Sequence, residues 1–145
     1  DISFSNLSYN ILTTQSGKAF ELGYSPKHDQ ETLQRHFSFE TELGDLELPG
    51  SLETTAFRIC QEAMNNIRKY AQPSRIRIAM KAVQGKLWVT VEDDGVGFDI
   101  ENPSFQSGVG MESMKERAEM HGGELIHRSA PGEGTKVTAV LPLEE

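Results

Sequence analysis

Cysteine is almost absent from this sequence. Cys60 stands alone, which excludes an intramolecular disulfide and any metal site built from several thiolates. Long apolar runs are missing as well, and nothing approaches the roughly 18 residues of a membrane-spanning helix. No charged-then-apolar leader opens the chain, which starts on Asp1 and not on Met, so the expectation is a domain excised from a longer protein. Basic residues are in deficit, 14 Lys+Arg against 22 Asp+Glu, for a net charge of −8. That deficit argues against nucleic acid as a partner, because a phosphate backbone is held by clustered Lys and Arg. What is present is an ordinary globular balance, with 37% hydrophobic and 25% charged residues in 145. Such a length buries about two-thirds of its unfolded surface in one core. The expectation is a cytoplasmic domain that does not itself contact a membrane; membrane anchoring of a longer parent is left open.

Residues 1–27 show no winning period, and Gly17, Gly23 and Pro26 interrupt them. From Phe37, the alternation of Phe37, Phe39 and Thr41 with Ser38 and Glu40 predicts a half-buried strand. A loop from Gly44 to Gly50 leads to Ser51, read as a helix N-cap with Glu53 in the first turn. Leu52, Ala56, Ile59, Ala63, Ile67 and Ala71 predict a helix over about 52–71, closed by Pro73. Ile76, Ile78, Met80 and Ala82 form the apolar face of a strand whose other face is largely basic. After Gln84-Gly85, Leu87, Val89 and Val91 complete a hairpin. A glycine-rich stretch from Gly95 to Gly110 precedes a second helix, about 111–120, ended by Gly122-Gly123. Strands at about 124–129 and 135–141 follow, joined by Pro131-Gly132-Glu133-Gly134. The order predicts an α+β fold with helices on one face of a mostly antiparallel sheet.

Three places could carry chemistry. Glu62 and Asn66 lie four apart on one helix face, where a carboxylate and an amide oxygen suit a hard cation such as Mg²⁺. Lys69 is near enough along the helix to reach a phosphate; on its own, the same set reads more readily as a solvated polar face. Next, Asp93 shares strand parity with Leu87, Val89 and Val91, so it aims into the apolar layer, while Asp94 points away. A carboxylate there needs a donor, and the amine of adenine would be one. Gly95 and Gly97 let a flat ligand approach the backbone, although an acidic turn explains these residues as well. Third, Gly108-Val109-Gly110-Met111 leads into the second helix, whose free N–H groups suit phosphate. It is neither a Rossmann fingerprint nor a P-loop.

In this order and spacing, the set resembles the GHKL (Bergerat-fold) ATP-binding family over about residues 36–142. Phe57 to Asn66 and Lys69-Tyr70-Ala71 look like the N-box of two-component sensor histidine kinases. Gly110 to Arg117, Gly122-Gly123 and Pro131 to Thr135 resemble the C-terminal half of the nitrate-sensor-like and desaturase-sensor-like subgroup. The resemblance implies a two-layer α/β sandwich, with residues 36–145 as the ATP-binding catalytic domain and 1–35 as a segment linking to a missing dimerisation domain. It implies that Asn66 binds Mg²⁺ and that Lys69 and Tyr70 lie on the nucleotide. It places Asp93 on the adenine amine, Gly95 and Gly97 at the adenine pocket, and Thr135 within reach of adenine through water. Gly108, Val109, Gly110 and Met111 fall on the phosphate side. Glu62 sits where ATP-hydrolysing relatives keep a general base, and is the catalytic candidate. Tyr70 and Val109 depart from the histidines common at their positions. The loop from Phe98 to Ser107 is short, as in the subgroup.

The implied function is a sensor histidine kinase domain. It would bind ATP·Mg²⁺ and donate the γ-phosphoryl to a histidine on a dimerisation domain of the same protein, for relay to a response regulator. A nucleotide-binding switch and an anti-sigma-type serine kinase of the same fold are the alternatives. His28 is a poor acceptor candidate, with Pro26 and Gly23 before it and too little chain before Phe57 for a helical hairpin. His36, His121 and His127 lack partners at metal spacing. Met111 and Met114 read as core filling, and Trp88, on the strand face opposite Asp93, as a packing or interface residue.

Overall fold

The computed structural model describes residues 37–43, 46, 48–67, 75–97 and 111–143. Within them, β1 (Phe37–Glu42), α1 (Gly50–Asn66), β2 (Ile76–Val83), β3 (Lys86–Asp93), α2 (Met111–Met120), β4 (Glu124–Ser129) and β5 (Thr135–Pro142) follow in order. The expected residues 1–35, the helix end beyond Ile67 and the stretch 98–110 lie outside the described residues.

α1 begins earlier than its sequence suggests. Pro49, at φ −53° and ψ 143°, occupies the cap position, and no side chain caps the helix. Its carbonyl accepts the Glu53 N–H at 2.9 Å and closes the first turn. The ring holds φ near the value a helix entry needs, so Ser51 is not the N-cap; it is an exposed residue of the first turn. Leu52, Ala56, Ile59, Ala63 and Ile67 are buried as the period requires, joined by Cys60 and Met64. The buried stripe is therefore two rows wide, as a helix lying flat on a sheet demands. Burial pushes the Cys60 thiol up to about 12, so it packs as a small neutral hydrophobe.

The five strands run in the order β1-β2-β3-β5-β4. β1 and β2 pair in parallel, which requires the crossover that α1 supplies; all other pairs are antiparallel. Gln84 (φ 52°) and Gly85 (φ 77°) turn β2 into β3, and two positive φ values match the right-handed twist of a tight hairpin. Both helices lie on one sheet face, α1 over β3 and β5, and α2 against β4, β5 and α1. The core between the layers holds Ile76, Ile78 and Met80 of β2, Leu87, Val89 and Val91 of β3, and Val137, Ala139 and Leu141 of β5. Met111 and Met114 of α2 are buried in it, as core filling should be.

The other sheet face carries the basic side of β2. Arg77 meets Glu40 at 3.0 Å and Lys81 meets Glu42 at 3.5 Å, exposed pairs of about 0–1 kcal/mol each. Trp88 sits on this face, partly exposed, opposite Val140.

α2 ends at the glycine pair. Gly122 takes φ 75°, its N–H reaches Glu119 O at 2.9 Å, and Gly123 N–H reaches Ala118 O at 2.9 Å. These are the two bonds of a Schellman cap. A Cβ on Gly123 would fall 2.2 Å from Val140 O, so the glycine also lets the chain pass tightly beneath β5. Among the described residues, no helix is long and apolar enough to cross a membrane.

Candidate nucleotide site

The candidate site grows from one row of the sheet. Ile76, Asp93, Thr135 and Ser129 are consecutive register partners across β2, β3, β5 and β4. Alternation along each strand points this row at the helix side. Asp93 is 6% exposed, against a surface position for Asp94, so parity separates the two aspartates as the sequence predicts.

Asp93 is held by its own loop. The Gly95 N–H donates to Asp93 Oδ1 at 2.7 Å, an Asx-type turn at the end of β3. Asp93 Oδ2 accepts no hydrogen bond from the described residues, so one acceptor remains for a ligand. The carboxyl pKa is pushed up to about 6, chiefly by burial; the Gly95 bond opposes the shift, and Asp94 and Glu92 add to it. Asp94 has a structural task. Its Oδ1 accepts the Arg75 N–H at 2.9 Å and its own N–H reaches Arg75 O at 3.3 Å, which extends the β2–β3 ladder.

Close backbone packing fixes the loop after Asp93. Gly132 N–H donates to Val96 O at 2.6 Å, tying the β4–β5 turn to the loop 94–97. Gly97 (φ 70°) has no room for a side chain, since a Cβ would lie 2.0 Å from Ala130 O. Gly134 (φ 75°) would place a Cβ 2.1 Å from Asp93 O. Only glycine satisfies both the left-handed backbone and the contact. A cavity of about 250 Å³ opens at this end of the sheet, lined by Asp93, Ser129, Gly134 and Thr135 and also by Glu92, Arg128 and Lys136 of the next row, which alternation turns away from the helices.

Glu62 and Asn66 are half-buried beside the apolar stripe of α1, on the helix that lies over the strands carrying Asp93 and Thr135. Met111 opens α2, but its side chain is buried in the core, which leaves its backbone as the part able to face a ligand. Lys69, Tyr70, Gly108, Val109 and Gly110 lie outside the described residues, as do His28 and His36. Among the described residues, no three His, Cys, Asp or Glu side chains are grouped to hold a metal ion. The structure thus brings Asp93, Gly95, Gly97 and Thr135 together.

Sequence reasoning missed Ser129. Its Oγ lies 2.8 Å from Thr135 Oγ1 and 2.8 Å from Gly134 O. The available signal was a small hydroxyl residue ending one strand of a hairpin whose partner opens with Thr. It missed too that Gly134 packs on the Asp93 backbone, which depends on how β5 enters the sheet.

A model of the histidine kinase-, DNA gyrase B- and HSP90-like ATPase family matches residues 51–145. The chain is 34% identical over 95 residues to the signal transduction histidine-protein kinase/phosphatase DegS of Brevibacillus brevis, covering 66% of this chain and 24% of that relative. It is 28% identical over 130 residues to the sensor histidine kinase LiaS of Bacillus subtilis, covering 90% of this chain and 36% of LiaS. It therefore spans about a quarter to a third of the curated relatives it matches. Two solved structures share the fold. The catalytic domain of histidine kinase ThkA superposes with a TM-score of 0.61 at 18% identity, over 98% of this chain and 93% of that one. The histidine kinase domain from Erythrobacter litoralis EL346 gives 0.60 at 22%, over 74% and 52%. With its family match covering well over half of its length, and a buried Asp93 beside Thr135 at the sheet end, this chain belongs to the histidine kinase-, DNA gyrase B- and HSP90-like ATPase family.

Proposed function

We propose that this domain is the ATP-binding catalytic part of a sensor histidine kinase, with ATP·Mg²⁺ bound at the sheet end and the γ-phosphoryl passed to a histidine on a dimerisation domain of the same protein. The observation that carries the reading is Asp93, a buried carboxylate beside Thr135 with one acceptor to spare. The residues fit an adenine nucleotide. Asp93 accepts from the base amine, and Gly95, Gly97 and Gly134 keep side chains out of the way. Asn66 and Glu62 provide the hard oxygen donors that Mg²⁺ prefers. Lys69, Tyr70 and the Gly108–Met111 stretch are assigned to the phosphates, and Glu62 to proton handling. When bound, ATP supplies the phosphoryl group and Mg²⁺ offsets its charge; the transfer needs little else from the protein than positioning. Residues 1–35 would connect to the dimerisation domain, and a response regulator would receive the phosphoryl group.

The test is labelling with γ-radiolabelled ATP, with and without the dimerisation hairpin of the parent chain, followed by mass-spectrometric site mapping. The chain alone should bind ATP and acquire no acid-labile phosphohistidine, because on this reading the acceptor histidine belongs to the dimerisation domain, and transfer needs it in line with the phosphorus. Adding the hairpin should label a histidine in it. Acid-stable phosphoserine on an added partner would favour a serine kinase, and no label in any mixture would favour a nucleotide switch.

A further inference from the structure

We propose that the open edge of β4 is a self-association surface, on which a second copy of this chain adds its own β4 antiparallel, about a twofold axis through Ile126. The proposal rests on the sheet edge alone and not on the nucleotide reading above. β4 is the last strand of the sheet: β5 pairs with one of its edges, and among the described residues no strand covers the other. An open edge of this kind presents backbone N–H and C=O groups to any strand that fits it.

The outward side chains of β4 are poorly matched within their own chain. Arg128 stands directly opposite Lys136 of β5, a like-charge pair that costs stability. Glu124 stands opposite Val140, and neither Glu124 nor Arg128 has an ion-pair partner among the described residues. Ile126, opposite Thr138, stays 40% exposed.

A twofold copy matches all three at once. Opposed side chains of an antiparallel pair share a face. With the axis at Ile126, the two isoleucines meet, each Glu124 meets the second copy's Arg128, and Leu125 meets His127 on the helix side. The carboxylate approaches Arg128 from the side away from Lys136 and offsets the repulsion between the two cations. Moving the axis to Leu125 or to His127 would set Ile126 against Glu124 or Arg128 and leave the other charge unmatched. α2 leaves room for the added strand. Leu125 and His127 are only partly buried beneath it, and a groove of about 390 Å³ opens between them and Lys115, Glu116 and Glu119 on the helix flank. An edge of six residues makes a small interface, so the association is weak and concentration-dependent.

The experiment is sedimentation equilibrium of the chain up to about 1 mM, the effective concentration of two linked domains, with charge reversals and cysteine cross-linking. Wild type should show a monomer–dimer equilibrium. Glu124→Arg alone and Arg128→Glu alone each set like charges opposite one another at two symmetric places, and should weaken the dimer roughly tenfold. The double reversal should restore it, and the two single variants should associate with each other better than either does with itself. Register is read by mild oxidation of single-cysteine additions. Opposed α-carbons in an antiparallel pair lie about 4.5–5.5 Å apart, within the span of a disulfide, so Ile126→Cys should form a linked dimer. Glu124→Cys and Arg128→Cys should not, because each lies about 14 Å along the strand from its own copy. Cys60, buried and with its thiol pushed up to about 12, gives no background in the folded chain. A chain that stays monomeric throughout overturns the proposal and leaves the edge to a strand of another protein. A dimer indifferent to the charge reversals overturns it too, as does linking at 124 or 128 as fast as at 126.

Discussion

Asp93→Asn should make the domain more stable at neutral pH while weakening its hold on ATP. Burial raises the Asp93 pKa from 3.8 to about 6 in the folded chain. Between these two values the folded state keeps a proton that the unfolded state has lost, so stability falls as pH rises through that window. The penalty is absent below pH 3.8 and complete above about 6. A shift of this size corresponds to at most about 3 kcal/mol. Solvent in the open cavity and the weaker bond that a neutral amide makes to the Gly95 N–H reduce the expected gain to about 1–2 kcal/mol. Urea denaturation at pH 7.5 and pH 4.5 measures it, and the advantage of Asp93→Asn should shrink on the acid side. In binding, the variant loses a charge-assisted acceptor and points an amide donor at the adenine amine, so ATP affinity should drop roughly 10- to 150-fold. An Asn variant no more stable than wild type at pH 7.5, or equally advantaged at both pH values, refutes the buried-charge argument. Unchanged ATP affinity refutes the assignment of Asp93 to the base.

The other tests are more local. Asn66→Ala should weaken nucleotide binding when Mg²⁺ is present and leave metal-free binding near normal; paired titrations with and without Mg²⁺ decide it. Gly134→Ala puts a Cβ 2.1 Å from Asp93 O at a positive φ, whereas Gly85→Ala meets open space at a similar φ. Urea titration should find a loss of about 1 kcal/mol for Gly85→Ala and about 3 kcal/mol or more for Gly134→Ala, because the strand end must shift as well. Cys60, with its thiol pushed up to about 12 and no exposure, should resist a thiol reagent in buffer and react in urea; fast labelling of the native chain would contradict its burial.

Much of the architecture is written in periods that survive without a tertiary context. The spacing from Leu52 to Ile67 sets the buried face of α1, and alternation in Ile76–Ala82 and Leu87–Val91 sets the inward faces of β2 and β3. The same alternation carried on to Asp93 and sent one aspartate inward and its neighbour outward. That is a strong inference because a one-residue change of register turns every side chain to the other face. The helix start was misread for a local reason: Ser51 has the usual capping chemistry, but Pro49 sets the entry dihedrals two residues earlier.

What the sequence determined by itself is therefore which elements form, which face of each is buried, and which carboxylate is forced toward the apolar layer. These follow from bonds and burial within a few residues of one another. Only the tertiary structure decided that β5 lies between β3 and β4, and hence that Thr135 stands beside Asp93 with Ser129 on its far side. It also decided that Gly97 and Gly134 lock the loop after Asp93 to the turn before Thr135. These are contacts between strands distant in the chain, and their partners are chosen by the packing of the whole sheet against α1 and α2, which no local pattern encodes.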